Sequence, residues 1–156
     1  KLECGNTTLR DWHPQKVSLT DYQGLSGDEL VWTGGGGTRV RFAWQTPVDE
    51  IWPTSWEDSL ILTNLDWFRN QTKETGPLGR AIRVSKEITD REELKAALHQ
   101  MMHDSFKKGD FAATIFEKVS LDEPIKCPSY ISKALSWLEN ELQSKNGGGR
   151  SHELGS

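Results

Sequence analysis

Cysteine is scarce in this sequence, which contains only Cys4 and Cys127. The two residues lie far apart and belong to no CxxC or mixed Cys/His pattern. The sequence therefore predicts neither a disulfide framework nor a structural zinc site. We expect a reduced, cytoplasmic protein with two free thiols.

Long apolar runs and a secretory leader are also missing, so we expect no membrane partner. Positive charge is not in excess either, because the formal net charge is −4. The chain as a whole creates no attractive field for nucleic acid. A polyanion would have to be bound by a local basic patch or through metal ions.

The length of 156 residues fits one ordinary domain. The first residue is Lys1 rather than methionine, which leads us to expect a fragment of a longer protein. We predict a single domain over residues 1–145 and a flexible tail over residues 146–156, where glycine and polar residues dominate.

A glycine run at 34–37 is followed by RVRFAWQTP, which spans residues 39–47. A phosphate-binding glycine loop would need a helix after it, whereas here the alternation of polar and apolar residues predicts a strand. We therefore interpret the run as a flexible surface loop that leads into a strand over residues 39–47.

Two adjacent acids, Glu57 and Asp58, open a predicted helix in TSWEDSLILTNLDWF, residues 54–68. Thr54 and Ser55 are both suitable N-cap residues, and each has a carboxylate three positions later, as in a capping box. A capping box requires no chemistry from its acid. The capping interpretation and a functional role for these acids both stay open at this point.

Later segments predict further helices, with a loop over residues 69–79 between them and the first. A capped amphipathic helix is expected over residues 89–108, and another after Gly109, with Asp110 as its cap and Phe116 in its core face. Pro128 is expected to start the last helix, with a buried stripe listed as Ile131, Ala134, Leu135, Leu138 and Leu142.

His99 and His103 lie four residues apart on the helix predicted over residues 89–108. They lack the glutamate of an HExxH motif, so a solvated helix face is the simpler interpretation and a metal site is the alternative.

Four segments, in this order, resemble one family, the OLD (overcoming lysogenization defect) ATP-dependent endonucleases, in the later part of their C-terminal TOPRIM region. The segments are GNTTLRDWHP (5–14), RVRFAWQTP with TSWEDSLILTN (39–64), KKGDFAATIFE (107–117) and CPSYISKALSWLENEL (127–142). Trp56 and Ser59 depart from the family pattern, as does the glycine between Lys108 and Asp110. The early glutamate motif and the DxD strand end of TOPRIM enzymes are not in this chain.

The resemblance implies an α/β, partial TOPRIM-like fold with a small sheet and several amphipathic helices, mainly helical toward the C-terminus. It also implies cleavage of the DNA backbone with two Mg²⁺ or Mn²⁺ ions. Glu57 and Asp58 would be metal ligands, and Lys108 would stabilise the charge of the transition state. ATP would act only through an ATPase domain that this chain lacks. We expect the full-length protein to form a homo-oligomer and the isolated fragment to be inactive.

Two alternatives to a nuclease stay open. The amphipathic helices are also compatible with a non-catalytic helical module for protein interaction or dimerisation, since such stripes indicate burial and nothing more. The other alternative is a degenerate TOPRIM relative that binds DNA without cutting it.

Overall fold

The computed structural model describes Leu25, residues 30–72 and residues 74–147. These ranges are mainly helical, with six α-helices and a small two-stranded antiparallel sheet. The chain divides into two compact units, residues 1–44 with 129–156, and residues 45–128. The segment GNTTLRDWHP (residues 5–14), which carries part of the resemblance, lies outside the described residues, as does the tail from residue 148 onward.

The first unit contains a hairpin and the last helix. Strand β1 (Val31–Thr33) pairs with β2 (Arg39–Arg41), with Val31 opposite Arg41. Between them a short 3₁₀ turn, Gly35–Gly37, has positive φ at its last two residues, a conformation that suits glycine. The strand ends at Arg41, so the prediction that it runs to residue 47 is wrong.

Helix α6 (Ser129–Gly147) is the longest helix of the described chain. Arg39 pairs with Glu141 and lies over the ring of Trp137, 5.8 Å from its centroid. The expected start after Pro128 is confirmed. However, Leu135, Leu138 and Leu142 are 59%, 47% and 54% exposed, so the prediction that they are buried is wrong.

The second unit is built from five helices: α1 (Trp56–Thr63), α2 (Leu65–Asn70), α3 (Gly76–Glu87), α4 (Arg91–His103) and α5 (Lys108–Ser120). Their apolar faces meet in one core. Its buried members are Ile51, Leu60, Ile61, Leu62, Trp67, Phe68, Leu78, Ala81, Ile82, Leu94, Leu98, Met101, Met102, Phe106, Phe111 and Ile115. Phe116, predicted for this core, is 74% exposed, so that prediction is wrong.

A tight turn precedes α1. Val48 and Ile51 exchange two backbone hydrogen bonds of 2.9 and 3.0 Å, and both intervening residues, Asp49 and Glu50, have positive φ. This is the geometry of a two-residue hairpin turn. Arg91, at the start of α4, donates to the Asp49 carbonyl oxygen at 2.8 Å and so connects the turn to that helix.

Helix α3 occupies part of a segment predicted to be a loop. Pro77 lies at the start of the helix, where its missing N–H costs nothing. Gly79 is buried because its Cα packs closely against the backbone at Glu74. Arg69, also predicted to lie in the loop, is in the last turn of α2 and donates to the carbonyl oxygen of Ser85 at 2.9 Å.

Asn64 separates α1 from α2 and is buried. Its side-chain oxygen accepts from the Lys126 N–H at 2.6 Å, and its amide nitrogen donates to the Lys126 carbonyl oxygen at 2.9 Å. The same nitrogen also donates to the Leu60 carbonyl oxygen at 2.9 Å. Asn64 lies inside the single helix predicted over residues 54–68. In the structure it ends one helix and holds a distant segment against it.

Among the helices in residues 30–72 and 74–147, none is both long enough and apolar enough to cross a membrane.

Candidate functional site

The start of α1 is fixed by a capping box between Ser55 and Asp58. The Asp58 N–H donates to the Ser55 hydroxyl oxygen at 3.3 Å, and the Ser55 N–H donates to Asp58 Oδ1 at 2.7 Å. Of the two capping boxes that the sequence allowed, the structure forms this one. The alternative box, between Thr54 and Glu57, would have required the Glu57 carboxylate to accept from the Thr54 N–H. Because that box does not form, Glu57 has no capping bond of this kind.

The carboxylate of Asp58 is buried and surrounded by donors. Its Oδ1 also accepts from the Ser59 N–H at 2.9 Å, and its Oδ2 accepts from the Thr54 N–H at 2.8 Å and the Thr54 hydroxyl at 2.9 Å. Each oxygen therefore has at least two protein donors. This geometry favours Asp58 as the residue that fixes the helix start. Its role as a metal ligand stays a prediction.

Glu57 faces a different partner from Asp58. Its Oε2 lies 3.7 Å from the Nζ of Lys108, a residue that starts α5. The Glu57 side chain is only 11% exposed, whereas the Lys108 side chain is 48% exposed. The structure thus brings together two of the three residues that the resemblance singled out, and it leaves the cation accessible to solvent.

An aromatic cluster around Phe111 explains why the two helix starts meet. Phe111 is fully buried in the first turns of α5, and its ring packs edge-on against Trp56, with 6.1 Å between centroids. It also packs against Phe68 at 6.4 Å and Phe106 at 5.3 Å. Because Trp56 directly precedes Glu57 and Phe111 lies three residues after Lys108, this packing positions both members of the ion pair.

The N-terminus of α5 lacks a conventional cap. Its N-cap residue is Lys107, and within the described residues no side chain caps this end. Lysine has no hydrogen-bond acceptor, so it cannot satisfy the free N–H groups of the first turn. Asp110, predicted to be the cap, lies inside the helix, and its Oδ2 is 3.9 Å from Lys107 Nζ. That prediction is wrong, and no described side chain caps this helix start.

The histidines of α4 are both exposed, and their ring centroids lie 4.4 Å apart. His99 Nδ1 is 3.3 Å from the Thr54 hydroxyl oxygen. The role of Thr54 as a neighbour of His99 was not predicted, and no local sequence pattern signals it, because 45 residues separate the two. In the described part of the chain, no group of three or more His, Cys, Asp or Glu side chains is arranged to hold a metal ion.

Comparison of this chain with protein families, curated proteins and solved structures finds no match.

Proposed function

We propose that this chain is the later part of a metal-dependent DNA nuclease of the OLD-family TOPRIM type. The observation that carries the proposal is the ion pair between Glu57 and Lys108 beside the open start of α5. A carboxylate suits hard divalent cations, and an ammonium group attracts phosphate without competing for the metal. One site thus combines a possible metal ligand with a phosphate-binding group.

The described residues do not complete a two-metal site. Two of the three candidate residues are carboxylates. Asp58 is engaged in capping, which leaves Glu57 as the candidate carboxylate available to a metal ion. Further oxygen ligands would have to come from outside the described residues. With those ligands present, the ions would activate water and polarise the phosphate, which is the chemistry that they supply in such nucleases.

Lys108 and the first turn of α5 would bind the phosphate. The free N–H groups of a helix start point toward an anion and are assisted by the helix dipole. Gly109 lies between Lys108 and Asp110, and its Cα faces open space, so the backbone can approach a phosphate closely. Glu57, held beside Lys108, would orient the ammonium group and would be one ligand of a bound metal ion.

A plasmid-nicking assay tests this role on the full-length protein that carries this chain. We expect Glu57→Gln and Lys108→Ala each to reduce Mg²⁺-dependent or Mn²⁺-dependent nicking by about 100-fold or more. Lys107→Ala is the matched control, because Lys107 is an adjacent lysine that pairs with Asp110 instead of Glu57. Unchanged nicking by both Glu57→Gln and Lys108→Ala would exclude the proposed site.

A binding assay separates cutting from binding. We expect Lys108→Ala to weaken binding of a labelled DNA duplex in the absence of metal, whereas Glu57→Gln should leave it unchanged or strengthen it by removing a negative charge. If the wild-type protein binds the duplex but never nicks DNA, the degenerate, non-cutting relative replaces the nuclease.

A second candidate function, a helical interaction module, is favoured by the exposed leucines of α6. Ile131, Leu135, Leu138 and Leu142 follow the 4-3-4 spacing of a coiled-coil seam. Under this alternative, light scattering should detect an assembly that Leu135→Asp and Leu138→Asp dissociate. Ser136→Asp, on another exposed face of α6, should leave it intact. A monomer that is indifferent to all three changes would eliminate the module.

A further inference from the structure

We propose that His99 and His103 form a two-histidine site for a zinc ion on the exposed face of α4. The site is independent of the nuclease proposal, because neither Glu57 nor Lys108 belongs to it. Neutral imidazole nitrogen is a preferred ligand of zinc, whereas magnesium prefers oxygen.

The spacing of the two rings fits a shared ion. Residues four apart lie on the same face of a helix, one turn from each other. With zinc–nitrogen bonds of about 2.0–2.1 Å, two imidazoles on one tetrahedral ion have ring centroids roughly 5 Å apart. The observed separation is 4.4 Å with 61° between the ring planes, so both rings would have to turn and move slightly apart to share an ion. Both rings are exposed, so an ion can reach them from solvent.

A chain of hydrogen bonds prepares His99 as a ligand. The Thr54 hydroxyl donates its one proton to Asp58 Oδ2 at 2.9 Å. The hydroxyl oxygen must therefore accept the hydrogen bond from His99 Nδ1, 3.3 Å away. With the proton on Nδ1, the lone pair is on Nε2, the nitrogen left for a metal. Metal-binding histidines in proteins are commonly oriented by such a bond from the other ring nitrogen.

The remaining positions of the ion would be open. In the described residues no third protein ligand joins the pair, so water would complete the coordination. His99 also lines a cleft of about 350 Å³ with mainly apolar walls, including Ile51, Trp52 and Leu98. A ligand in this cleft could therefore replace one of the waters, as substrate does at the open position of catalytic zinc sites, although those sites have three protein ligands.

Zinc titration of the 156-residue chain, followed by calorimetry and by the ¹⁵N signals of the imidazole rings, tests the site. We expect the His99 and His103 signals to move together, and Mg²⁺ to have no effect on them. His103→Gln should weaken binding by more than the 10–100-fold that loss of a supporting hydrogen bond costs. Thr54→Val keeps both histidines but removes the hydroxyl that supports His99 and bonds to Asp58, and it should weaken zinc binding by about 10-fold.

Two controls make the result specific. His103→Gln combined with Gln100→His keeps the number of histidines but points the two rings in directions about 100° apart on the helix, so tight binding should be lost. His13→Gln, outside the described residues, should bind zinc as the wild type does. Equal zinc affinity for wild type and His103→Gln, or wild-type affinity for the combined variant, would overturn the proposal.

Discussion

At the scale of single residues, the adjacent acids Glu57 and Asp58 have different environments. Asp58 accepts hydrogen bonds from the backbone and side chains of Thr54 and Ser55, whereas Glu57 pairs with Lys108 across the core. Adjacent helix positions point about 100° apart, which explains how one pair of acids serves two purposes. Matched amide substitutions can separate these purposes.

We predict that Asp58→Asn lowers the free energy of unfolding by about 2–3 kcal/mol, because an NH₂ group would replace an oxygen that faces buried N–H donors. Glu57→Gln should lower it by about 1 kcal/mol or less, as expected for a partly solvated ion pair. Urea unfolding measures both. Equal losses for the two variants would contradict the separation of capping from the site.

Two glycines with opposite surroundings give a second prediction. A Cβ at Gly79 would lie 2.0 Å from the Glu74 carbonyl oxygen, whereas a Cβ at Gly109 would meet nothing within 4 Å. We expect Gly79→Ala to destabilise the protein by about 1–3 kcal/mol or more, since the backbone must move. Gly109→Ala should stabilise it by about 0.5–1 kcal/mol, since alanine favours the helix. Thermal unfolding of both variants checks the contrast.

At the scale of elements, the starts of α1 and α4 were the most predictable features. Ser55 and Asp90 cap α1 and α4 with their side chains, as the local sequence indicates. Leu94, Leu98 and Met101 recur at helical spacing in α4 and are buried, as an amphipathic helix requires. Local chemistry decides these features, so local sequence reveals them.

Features that depend on distant contacts were not predictable. Glycine and proline near Gly76 suggested a loop, but Pro77 suits a helix start and Gly79 permits close packing against Glu74. Likewise, α1 has no open face. Residues 57–62 are all buried because the turn at Val48–Ile51 and helices α2–α5 surround them. Periodicity reports one apolar face and cannot report how many neighbours a helix has.

In the candidate site, too, some features follow from the sequence and others depend on distant contacts. Glu57 and Lys108 were identified through a sequence resemblance, but their contact depends on the packing of Phe111 against Trp56. The absence of a side-chain cap at the start of α5 was not predicted either. Aspartate is a preferred N-cap residue and lysine is not, so the sequence pointed to Asp110 instead of Lys107. The helix begins one turn earlier than Asp110 would place it.

An ion pair between elements gives a prediction for pH. The Lys118 Nζ donates to Glu74 Oε1 at 2.9 Å, and this hydrogen bond raises the pKa of Lys118 against the opposing effect of burial. Because the folded-state pKa is raised, the stabilisation is fully present below about pH 10.4, the ordinary lysine pKa, and is lost as pH rises through the folded-state value.

Thermal unfolding between pH 8 and pH 12 measures this effect. We expect wild type to be more stable than Lys118→Met by on the order of 0.5 kcal/mol at pH 8, since the pair is partly solvated, and the difference should vanish at high pH. Lys126→Met, which changes an exposed side chain, should show no such trend. A difference that stays constant with pH would contradict the role of this pair.

At the scale of the whole molecule, the buried core lies in the unit of residues 45–128. The unit of residues 1–44 and 129–156 contributes the hairpin and α6, with its exposed leucines. Both proposed sites, the Glu57–Lys108 pair and the histidine pair, belong to the unit of residues 45–128. We therefore expect substitutions in α6 to affect assembly and to leave zinc binding unchanged.

The pairing of Asn64 with Lys126 also has a consequence for folding kinetics. It closes a loop of 62 residues, and a contact between such distant positions forms late because the intervening chain must be ordered first. Asn64→Ala should therefore increase the unfolding rate constant and leave the folding rate constant almost unchanged. Stopped-flow unfolding and refolding in urea measures both rates. A slower folding rate in this variant would place the contact in the transition state for folding.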